Sequence, residues 1–132
     1  MSWSSSGTPP NRDDRRATGQ AGESIAVRHL QAAGYEIVER GWRYGAVGEI
    51  DIVARHGKDW VFIEVRSRRA TDPGAALESI GRRKQAQVIR LAQAYLNSHN
   101  LTNVPWRIDA VAIAFSGHAP PQIEIIENAI GW

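Results

Sequence analysis

The sequence predicts an α/β fold in which helices flank a mixed β-sheet, and the order of its elements carries that prediction. Apolar residues recur at helical spacing in two segments, 19–33 and 73–98. Three segments of strand character lie between them, and one or two more follow. The order α, β, β, β, α, β, with a further candidate β, predicts an antiparallel meander and then a strand added in parallel through a helical crossover.

The first helix is predicted from near Gly19 to Ala33. Its apolar residues lie on one face, and Gly34 is a suitable C-terminal stop. The preceding residues, 1–18, combine serines, prolines and mixed charges without an apolar period, so we expect a disordered tail there. A single domain is therefore predicted over 19–132.

Three strand-like segments follow, and the second and third are predicted to form a hairpin. The first runs from Tyr35 to Trp42 and leads into a loop punctuated by glycines. The other two cover 49–54 and 60–66, and a two-residue Gly57-Lys58 turn of type II′ would join them.

That turn fixes which residues of the hairpin face each other. Opposed pairs share a face of the sheet, with Cβ atoms about 4.5 to 5.5 Å apart. The pairs expected are Asp51 with Glu64, Glu49 with Arg66, and Val53 with Phe62. The other face is apolar and is predicted to lie on the core, with Ile50, Ile52, Ile63 and Val65.

The second helical segment follows a polar loop over 67–72 and carries a cation on its apolar stripe. Gly81 is expected to divide it into a short and a long helix, and Lys84 lies on the stripe. The stripe consists of Leu77, Ile80, Val88, Leu91, Ala92 and Tyr95. Beyond it, Trp106–Phe115 alternates as a strand, and Gln122–Glu127 is a candidate final strand.

Composition excludes several classes of protein. The chain has 132 residues and no cysteine, which excludes disulfide frameworks, thiolate metal sites and cysteine nucleophiles. Its longest apolar run, Ala110–Phe115, is far shorter than the roughly 18 residues that a membrane span requires. The N-terminus also lacks the apolar core of a signal peptide. We therefore expect a soluble, cytoplasmic protein with no membrane partner.

The net charge of +2 conceals a polarised distribution. Segment 23–65 holds five basic and seven acidic residues, whereas 66–90 holds seven basic and two acidic residues. Fourteen of the sixteen cations are arginine, the better bidentate phosphate ligand. An acidic segment followed by a basic one suits a metal site beside a polyanion.

Two carboxylates on neighbouring strands point to metal chemistry. Asp51 and Glu64, if opposed, would repel each other unless a cation lies between them or one is protonated. Oxygen ligands favour Mg²⁺ or Mn²⁺ over zinc. Arg66, on the same face, could stabilise a phosphate or the charge that develops on it. The alternative is an exposed strand face with charged residues at alternate positions.

Two short runs resemble the signature of a nuclease superfamily. Gly48-Glu49-Ile50-Asp51 followed by Phe62-Ile63-Glu64-Val65-Arg66 resembles the Asp…Glu-x-Lys pattern of the PD-(D/E)XK, or restriction-endonuclease-like, superfamily. A wider ordered set over about residues 19–115 resembles the YraN family of bacterial proteins, itself similar to archaeal Holliday-junction resolvases. The set adds Gly22-Glu23, Gly34-Tyr35, Lys84 and Arg107-Ile108-Asp109.

The resemblance implies a restriction-endonuclease-like core and specific roles. Asp51 and Glu64 would be metal ligands, with the Val65 carbonyl as a third. Glu23 matches an acidic residue of the first helix that joins the site in resolvase-like proteins; alternatively it is a carboxylate favoured by the helix dipole. For Glu49 the alternative to a site role is an ion pair with Arg66.

Arg66 departs from the superfamily pattern, which has lysine at this position. Arginine cannot lose its proton near neutral pH, so Arg66 cannot be a general base, although its electrostatic role survives. Lys84 could supply the missing ammonium if the long helix turns its stripe towards the sheet. The alternative is a lysine that extends to solvent from the edge of the stripe.

Further cations and aromatic residues are candidates for nucleic-acid binding. The arginines that flank the site suit phosphate contacts, or else a solvated surface: Arg68, Arg69, Arg82, Arg83 and Arg90. Trp42 and Tyr44, in the predicted glycine loop, could stack on bases or serve only in packing. Asp109 is interpreted first as a structural ion-pair partner.

The function predicted is therefore a metal-dependent endonuclease that acts on DNA, including branched or structured DNA. Its catalytic residues would be Glu23, Asp51, Glu64, Arg66 and Lys84. A nucleic-acid-binding module without turnover is the main alternative, and a scaffold for an acidic protein is a third. Resolvase-like relatives act in pairs on two strands, which makes a homodimer the assembly to test.

Overall fold

The structure, a computed structural model, describes residues 12–69, 81–117 and 119–129. In that part of the chain two helices and five strands follow one another in the predicted order. They are α1 (Arg12–Ala32), β1 (Glu36–Tyr44), β2 (Gly48–His56), β3 (Asp59–Arg69), α2 (Arg82–Ser98), β4 (Trp106–Phe115) and β5 (Gln122–Ile126). Residues 70–80, and with them the predicted stripe positions Leu77 and Ile80, lie outside the described residues.

The five strands form one mixed sheet in the order β1-β2-β3-β4-β5. Neighbouring strands are antiparallel except β3 and β4, which are parallel and are joined through the segment that contains α2. A parallel pair needs such a crossover, because the chain must return to the same edge before the second strand begins. The predicted α/β fold, with a meander followed by a parallel strand, is confirmed.

The hairpin of β2 and β3 has the predicted register close to its turn. Val53 lies opposite Phe62, and the neighbouring pairs follow the same count from Ile52–Ile63 to His56–Asp59. Gly57 has φ +63°, which the first position of a type II′ turn requires and which glycine adopts without steric cost.

Apolar residues cover both faces of the sheet rather than one. On one face α1 packs on a cluster that includes Leu30, Ile52 and Ile63. On the other, α2 packs on a cluster that includes Ile50 and Phe62. The prediction that Ile50 shares a face with Ile52 is therefore wrong, and the break in alternation falls where β2 parts from β3.

Three element boundaries differ from the sequence prediction. Helix α1 begins at Arg12 rather than near Gly19, so 12–18 are helical and the rest of the predicted tail, 1–11, lies outside the described residues. Strand β1 continues to Tyr44 because it pairs with β2 as far as Gly48. Strand β3 continues to Arg69, because the parallel partner β4 supplies backbone hydrogen bonds to residues whose side chains are polar. The division into a tail and one domain stays a prediction.

Candidate active site

The candidate site lies where β2 and β3 separate. Their ladder ends at Ile52–Ile63; beyond it β2 stays paired with β1 to Gly48, and β3 stays paired with β4 to Arg69. We call this opening the fork and define it by residues 48–51 of β2 and 64–69 of β3. Past this point the two strands share no ladder pair, so their backbone groups and side chains take other partners.

Asp51 occupies the first position of the fork. Its Oδ2 accepts a hydrogen bond of 2.8 Å from the backbone N–H of Val65. The carboxylate thus satisfies an amide that would otherwise need a ladder partner. Asp51 and Glu64 are consequently not a ladder pair, and the predicted Glu49–Arg66 opposition is wrong. Glu49 instead pairs with Arg43 of β1, with 3.7 Å between Nη2 and Oε2.

Glu64 is the buried carboxylate of the site, with 4% of its surface exposed. Two cations contact its Oε1: Nη2 of Arg66 at 3.3 Å and Nζ of Lys84 at 3.4 Å. Lys84 comes from the first turn of α2, so this helix does turn the cation towards the sheet as predicted. Both contacts are longer than charge-assisted hydrogen bonds, which are about 2.7 to 2.9 Å.

Burial and mutual repulsion shift the acidities of the two carboxyl groups. Burial and, after it, the nearby charge of Asp51 raise the pKa of Glu64 to about 7, against the opposing effect of Lys84 and Arg66. Burial also raises the pKa of Asp51, against the hydrogen bond from Val65. Such a pair favours either a bound proton or a bound cation, which is the situation expected of a metal-binding pair.

Glu23 reaches the same region from α1. Burial and the charge of Asp51 raise its pKa, and Arg40 opposes the shift. The preceding residue allows this approach, because a Cβ at Gly22 would lie 2.4 Å from Oγ of Ser67 on β3. Among the residues that the structure describes, no three histidine or acidic side chains form a ready-made metal cage. Asp51 and Glu64 remain the candidate ligand pair, and the charge of Asp51 acts on Glu23.

Val65 contacts the site through its amide, since its N–H binds Asp51. The role predicted for its carbonyl as a third metal ligand stays a prediction.

Positive charge is concentrated beside Glu64. The first turn of α2 contains Arg82, Arg83 and Lys84 and no acidic residue, and its N-cap, Gly81, makes no side-chain capping bond. Cations at a helix N-terminus oppose the helix dipole, so this arrangement leaves a region that attracts anions. Arg66 adds to it, because its Nε is buried without a hydrogen-bond partner.

The other predicted binding residues lie on strands. Arg68 and Arg69 are exposed at the end of β3 rather than in a loop. Trp42 and Tyr44 lie on β1, not in a glycine loop, because both pair with β2. Trp42 packs edge-on against Tyr95 of α2, with ring centroids 5.2 Å apart, whereas Tyr44 is exposed. Arg90 lies exposed on α2, two turns beyond Lys84.

Sequence reasoning missed Gln87, which holds the β1–β2 turn against α2. Its Nε2 donates a hydrogen bond of 2.6 Å to the carbonyl oxygen of Val47. Gly48 has φ +146°, a backbone conformation that favours glycine, and a Cβ there would lie 2.5 Å from that same nitrogen. The available signal was the spacing: Gln87 lies one helical turn after Lys84, on the same face.

The predicted structural role of Asp109 is confirmed. Its carboxylate points to the face of the sheet opposite to that of Glu64, one register step away, and is 0% exposed. Nε of Arg107 contacts its Oδ1 at 3.0 Å, and Tyr35 donates a hydrogen bond of 2.7 Å to its Oδ2.

A match to a protein family decides the relationship of the chain. Residues 22–113 match the profile described as Uncharacterised protein family UPF0102. The chain belongs to the UPF0102 family. This is the YraN family, so the resemblance to that family noted in the sequence is confirmed. The matched range includes the fork, Glu23 and Lys84.

Individual UPF0102 proteins are similar over most of their length. The protein of Roseiflexus castenholzii is 54% identical over 101 residues, which cover 76% of this chain and 81% of that protein. Those of Dehalococcoides mccartyi and Geotalea uraniireducens are 40% and 42% identical, and the matches cover 96% and 93% of their lengths.

One solved structure, that of Pyrococcus furiosus SfsA in complex with Ca²⁺, resembles the chain distantly. The identity is 17% and the TM-score 0.40, over 86% of this chain and 64% of SfsA. The chain thus spans less than two thirds of SfsA, and a likeness of this degree carries no functional argument. Within the described residues, no helix has the length and apolar character needed to cross a membrane.

Proposed function

We propose that the protein is a metal-dependent endonuclease that cleaves phosphodiester bonds in DNA, including branched or structured DNA. The observation that carries the proposal is the buried carboxylate Glu64 beside Asp51 in the fork, with Arg66 and Lys84 both within 3.4 Å of it. Two carboxylates next to two cations suit a metal ion and a phosphate bound side by side.

The donor set fits Mg²⁺ or Mn²⁺. Asp51 and Glu64 offer hard oxygen ligands, and Mg²⁺ commonly takes one or two carboxylates and completes its shell with water and substrate phosphate. The Val65 carbonyl is the third proposed ligand. When bound, such an ion would lower the pKa of a water molecule and polarise the phosphodiester.

The side chains around that pair have separable tasks. Arg66 and Lys84 stabilise negative charge on the phosphate, and Arg66 does so without exchanging a proton. Glu23, whose pKa is raised by burial and by Asp51, is suited to accept a proton from the attacking water. The buried Nε of Arg66 is a donor without an acceptor, which a phosphate oxygen would supply.

The cationic first turn of α2 suits the DNA backbone. Arg82 and Arg83 are exposed next to Lys84, and Arg68 and Arg69 are exposed at the end of β3. Contacts of this kind fix the position of a nucleic acid without reading its sequence.

Cleavage by the purified full chain tests the proposal. We expect nicking of supercoiled plasmid and of a synthetic four-way junction with Mn²⁺ or Mg²⁺ and none with EDTA. Glu64→Ala should lower the rate more than 100-fold, whereas Glu124→Ala, which changes an exposed glutamate of β5, should lie within two-fold of wild type. Equal cleavage by Glu64→Ala would identify a contaminating nuclease and reject the assignment.

A non-catalytic nucleic-acid-binding module is the second candidate, and Arg66 at the lysine position favours it. It predicts binding that weakens steeply with salt, needs no divalent ion and survives Asp51→Asn. Nuclease activity instead requires Asp51. A cytoplasmic location and a homodimer remain predictions, to be tested by fractionation and by light scattering.

A further inference from the structure

Tyr44 is an unusual side chain on this surface. It lies at the end of β1 with 47% of its surface exposed. Among the described residues the exposed large hydrophobic side chains are Tyr44 and Val38. An aromatic ring that is exposed to water lacks the stabilisation that burial would give. A partner that covers the ring would gain that stabilisation.

One face of the Tyr44 ring packs against other aromatic side chains. It stacks on Trp42 with ring centroids 5.6 Å apart and an interplanar angle of 15°. Trp42 in turn packs edge-on against Tyr95, which is 2% exposed in the core. A ring supported in this way presents a fixed face, and little side-chain freedom is lost when something stacks on it.

The surroundings of Tyr44 leave it accessible. The next residue is Gly45, where an added Cβ would meet no atom within 4 Å, and Ala46 after it is small and exposed. Arg43 on the other side has 69% of its side chain exposed, and its contact with Glu49 is long at 3.7 Å. Arg43 and Tyr44 are successive strand residues and point to opposite faces of the sheet, so the accessible feature of this surface is the aromatic ring itself.

This surface is tied to the fork. Gln87 binds the Val47 carbonyl at 2.6 Å and so anchors the β1–β2 turn to α2. One helical turn earlier, Lys84 contacts Glu64 at 3.4 Å. Tyr44 itself pairs with Gly48, the first residue of the fork and three residues before Asp51, so the aromatic face lies beside the fork.

We propose that Tyr44 is a stacking platform for an unpaired base of the nucleic acid that the fork binds. The inference rests on the proposed function and deepens it by naming the substrate class. In an intact duplex both faces of each base are covered by its neighbours. An open ring therefore gains stacking only from a single strand or from a nucleotide without a stacked neighbour, and it does so with any base.

Binding measured in EDTA tests the proposal without cleavage. The probes are a labelled 20-nucleotide single strand and a closed dumbbell duplex, which has no open ends, and the readout is the ratio of their Kd values by anisotropy. We expect wild type to favour the single strand and Tyr44→Leu, which keeps an apolar contact with Trp42, to lose at least 5-fold of that ratio. Tyr44→Phe should stay within two-fold of wild type.

A second readout and a control variant make the result decisive. A 2-aminopurine base in the single strand should lose fluorescence on binding to wild type and to Tyr44→Phe, but not to Tyr44→Leu. Val38→Ala, which changes the other exposed hydrophobic residue of β1, should leave the ratio unchanged. An unchanged ratio in Tyr44→Leu, an equal loss in Tyr44→Phe, or a wild type that prefers the dumbbell would overturn the stacking role.

The two proposals fail separately. If the ratio changes as expected but no metal supports plasmid cleavage, Tyr44 stacks on bases in a binding module, and the nuclease assignment fails alone. If Mn²⁺-dependent cleavage occurs but the ratio does not respond to Tyr44, the stacking platform fails alone.

Discussion

Two buried carboxylates, Glu64 and Asp109, lie on the adjacent parallel strands β3 and β4, and they have different partners. In register Glu64 pairs with Ala110, and Asp109 pairs with Ile63, so the two residues are one step apart but point to opposite faces. Both are almost inaccessible, at 4% and 0% exposure. Their partners, rather than their burial, distinguish them.

Asp109 is fully satisfied. It accepts hydrogen bonds from Tyr35 at 2.7 Å, from Arg107 at 3.0 Å and from the backbone N–H of Asn128 at 3.0 Å. Arg107 also binds Asp59 and donates to Nδ1 of His56 at 2.7 Å. We call these side chains, Tyr35, His56, Asp59, Arg107 and Asp109, the Arg107 network. Burial and, after it, the hydrogen bond to Asp109 raise the pKa of Tyr35 to about 12, while Arg107 opposes the rise.

The contacts of Glu64 are fewer and longer than those of Asp109. Its two cationic contacts are 3.3 and 3.4 Å long, and the buried Nε of Arg66 has no acceptor. The lesson is that burial alone does not mark a functional carboxylate. Such a group is marked by burial together with partners that leave room for another ligand.

The largest expected effect comes from neutralising each carboxylate without changing its shape. Asp109→Asn should lower the free energy of unfolding by about 3 kcal/mol, because Arg107 keeps its charge in a buried position and loses its main partner. Glu64→Gln at pH 8 should instead raise it, by up to about 3 kcal/mol, since it removes the charge that burial and Asp51 disfavour. Urea unfolding measures both. Equal losses would remove the distinction between the two groups.

The pH dependence of stability should also distinguish Glu64 from Asp109. The folded pKa of Glu64 is about 7, above the ordinary 4.5 of the unfolded chain, so the folded protein holds a proton that the unfolded chain has released. Without divalent metal, stability should therefore fall as pH rises from 4.5 through 7, by up to about 3 kcal/mol. The difference between wild type and Glu64→Gln isolates this change. A difference that stays flat across the interval would contradict the shift.

The two arginines provide a smaller test. Arg107→Lys should cost about 2 kcal/mol, because an ammonium cannot reproduce the planar contacts with Asp109, Tyr35 and His56. Arg66→Lys should stay within about 1 kcal/mol of wild type, because it removes an unpaired N–H while it keeps the charge. Chemical denaturation of both variants under one buffer gives the comparison, and a reversed order would refute it.

The smallest expected effect is stabilisation by metal. Mn²⁺ at ten times its Kd should add about 1.4 kcal/mol, which corresponds to a Tm increase of about 4 °C. Glu64→Gln should lose this increase, and Asp109→Asn should keep it although its Tm starts lower. Calorimetry with and without Mn²⁺ measures the shift. Retention of the full increase in Glu64→Gln would place the metal elsewhere.

Much of the fold could be predicted because its signals are local. The Gly57-Lys58 turn fixed the register of β2 and β3, and the apolar alternation of Trp106–Phe115 gave the bounds of β4. The apolar stripe of the second helix includes Lys84, and of the two alternatives for this side chain the structure shows the one that faces the sheet, in contact with Glu64. Each of these signals needs only turn chemistry or a periodic pattern.

The features that sequence reasoning missed depend on distant partners. A turn predicts the pairing of its two strands but not the residue at which that pairing ends. It therefore could not reveal that, beyond Ile52–Ile63, β2 is paired only with β1 and β3 only with β4. The same fork explains the errors at Ile50 and Glu49. The Arg107 network joins residues up to 74 positions apart, and only the pair of Arg107 with Asp109 is close in sequence.

The fork also has a mechanical consequence. It divides the sheet into two ribbons, β1–β2 and β3–β4–β5, which share a ladder only from Ile52–Ile63 to the hairpin turn. Past the Ile52–Ile63 pair the ribbons share no ladder pair, and the hydrogen bond from Val65 to Asp51 joins their parted ends. A ligand that contacts both Asp51 and Glu64 would therefore cross-link the two ribbons where no ladder pair does.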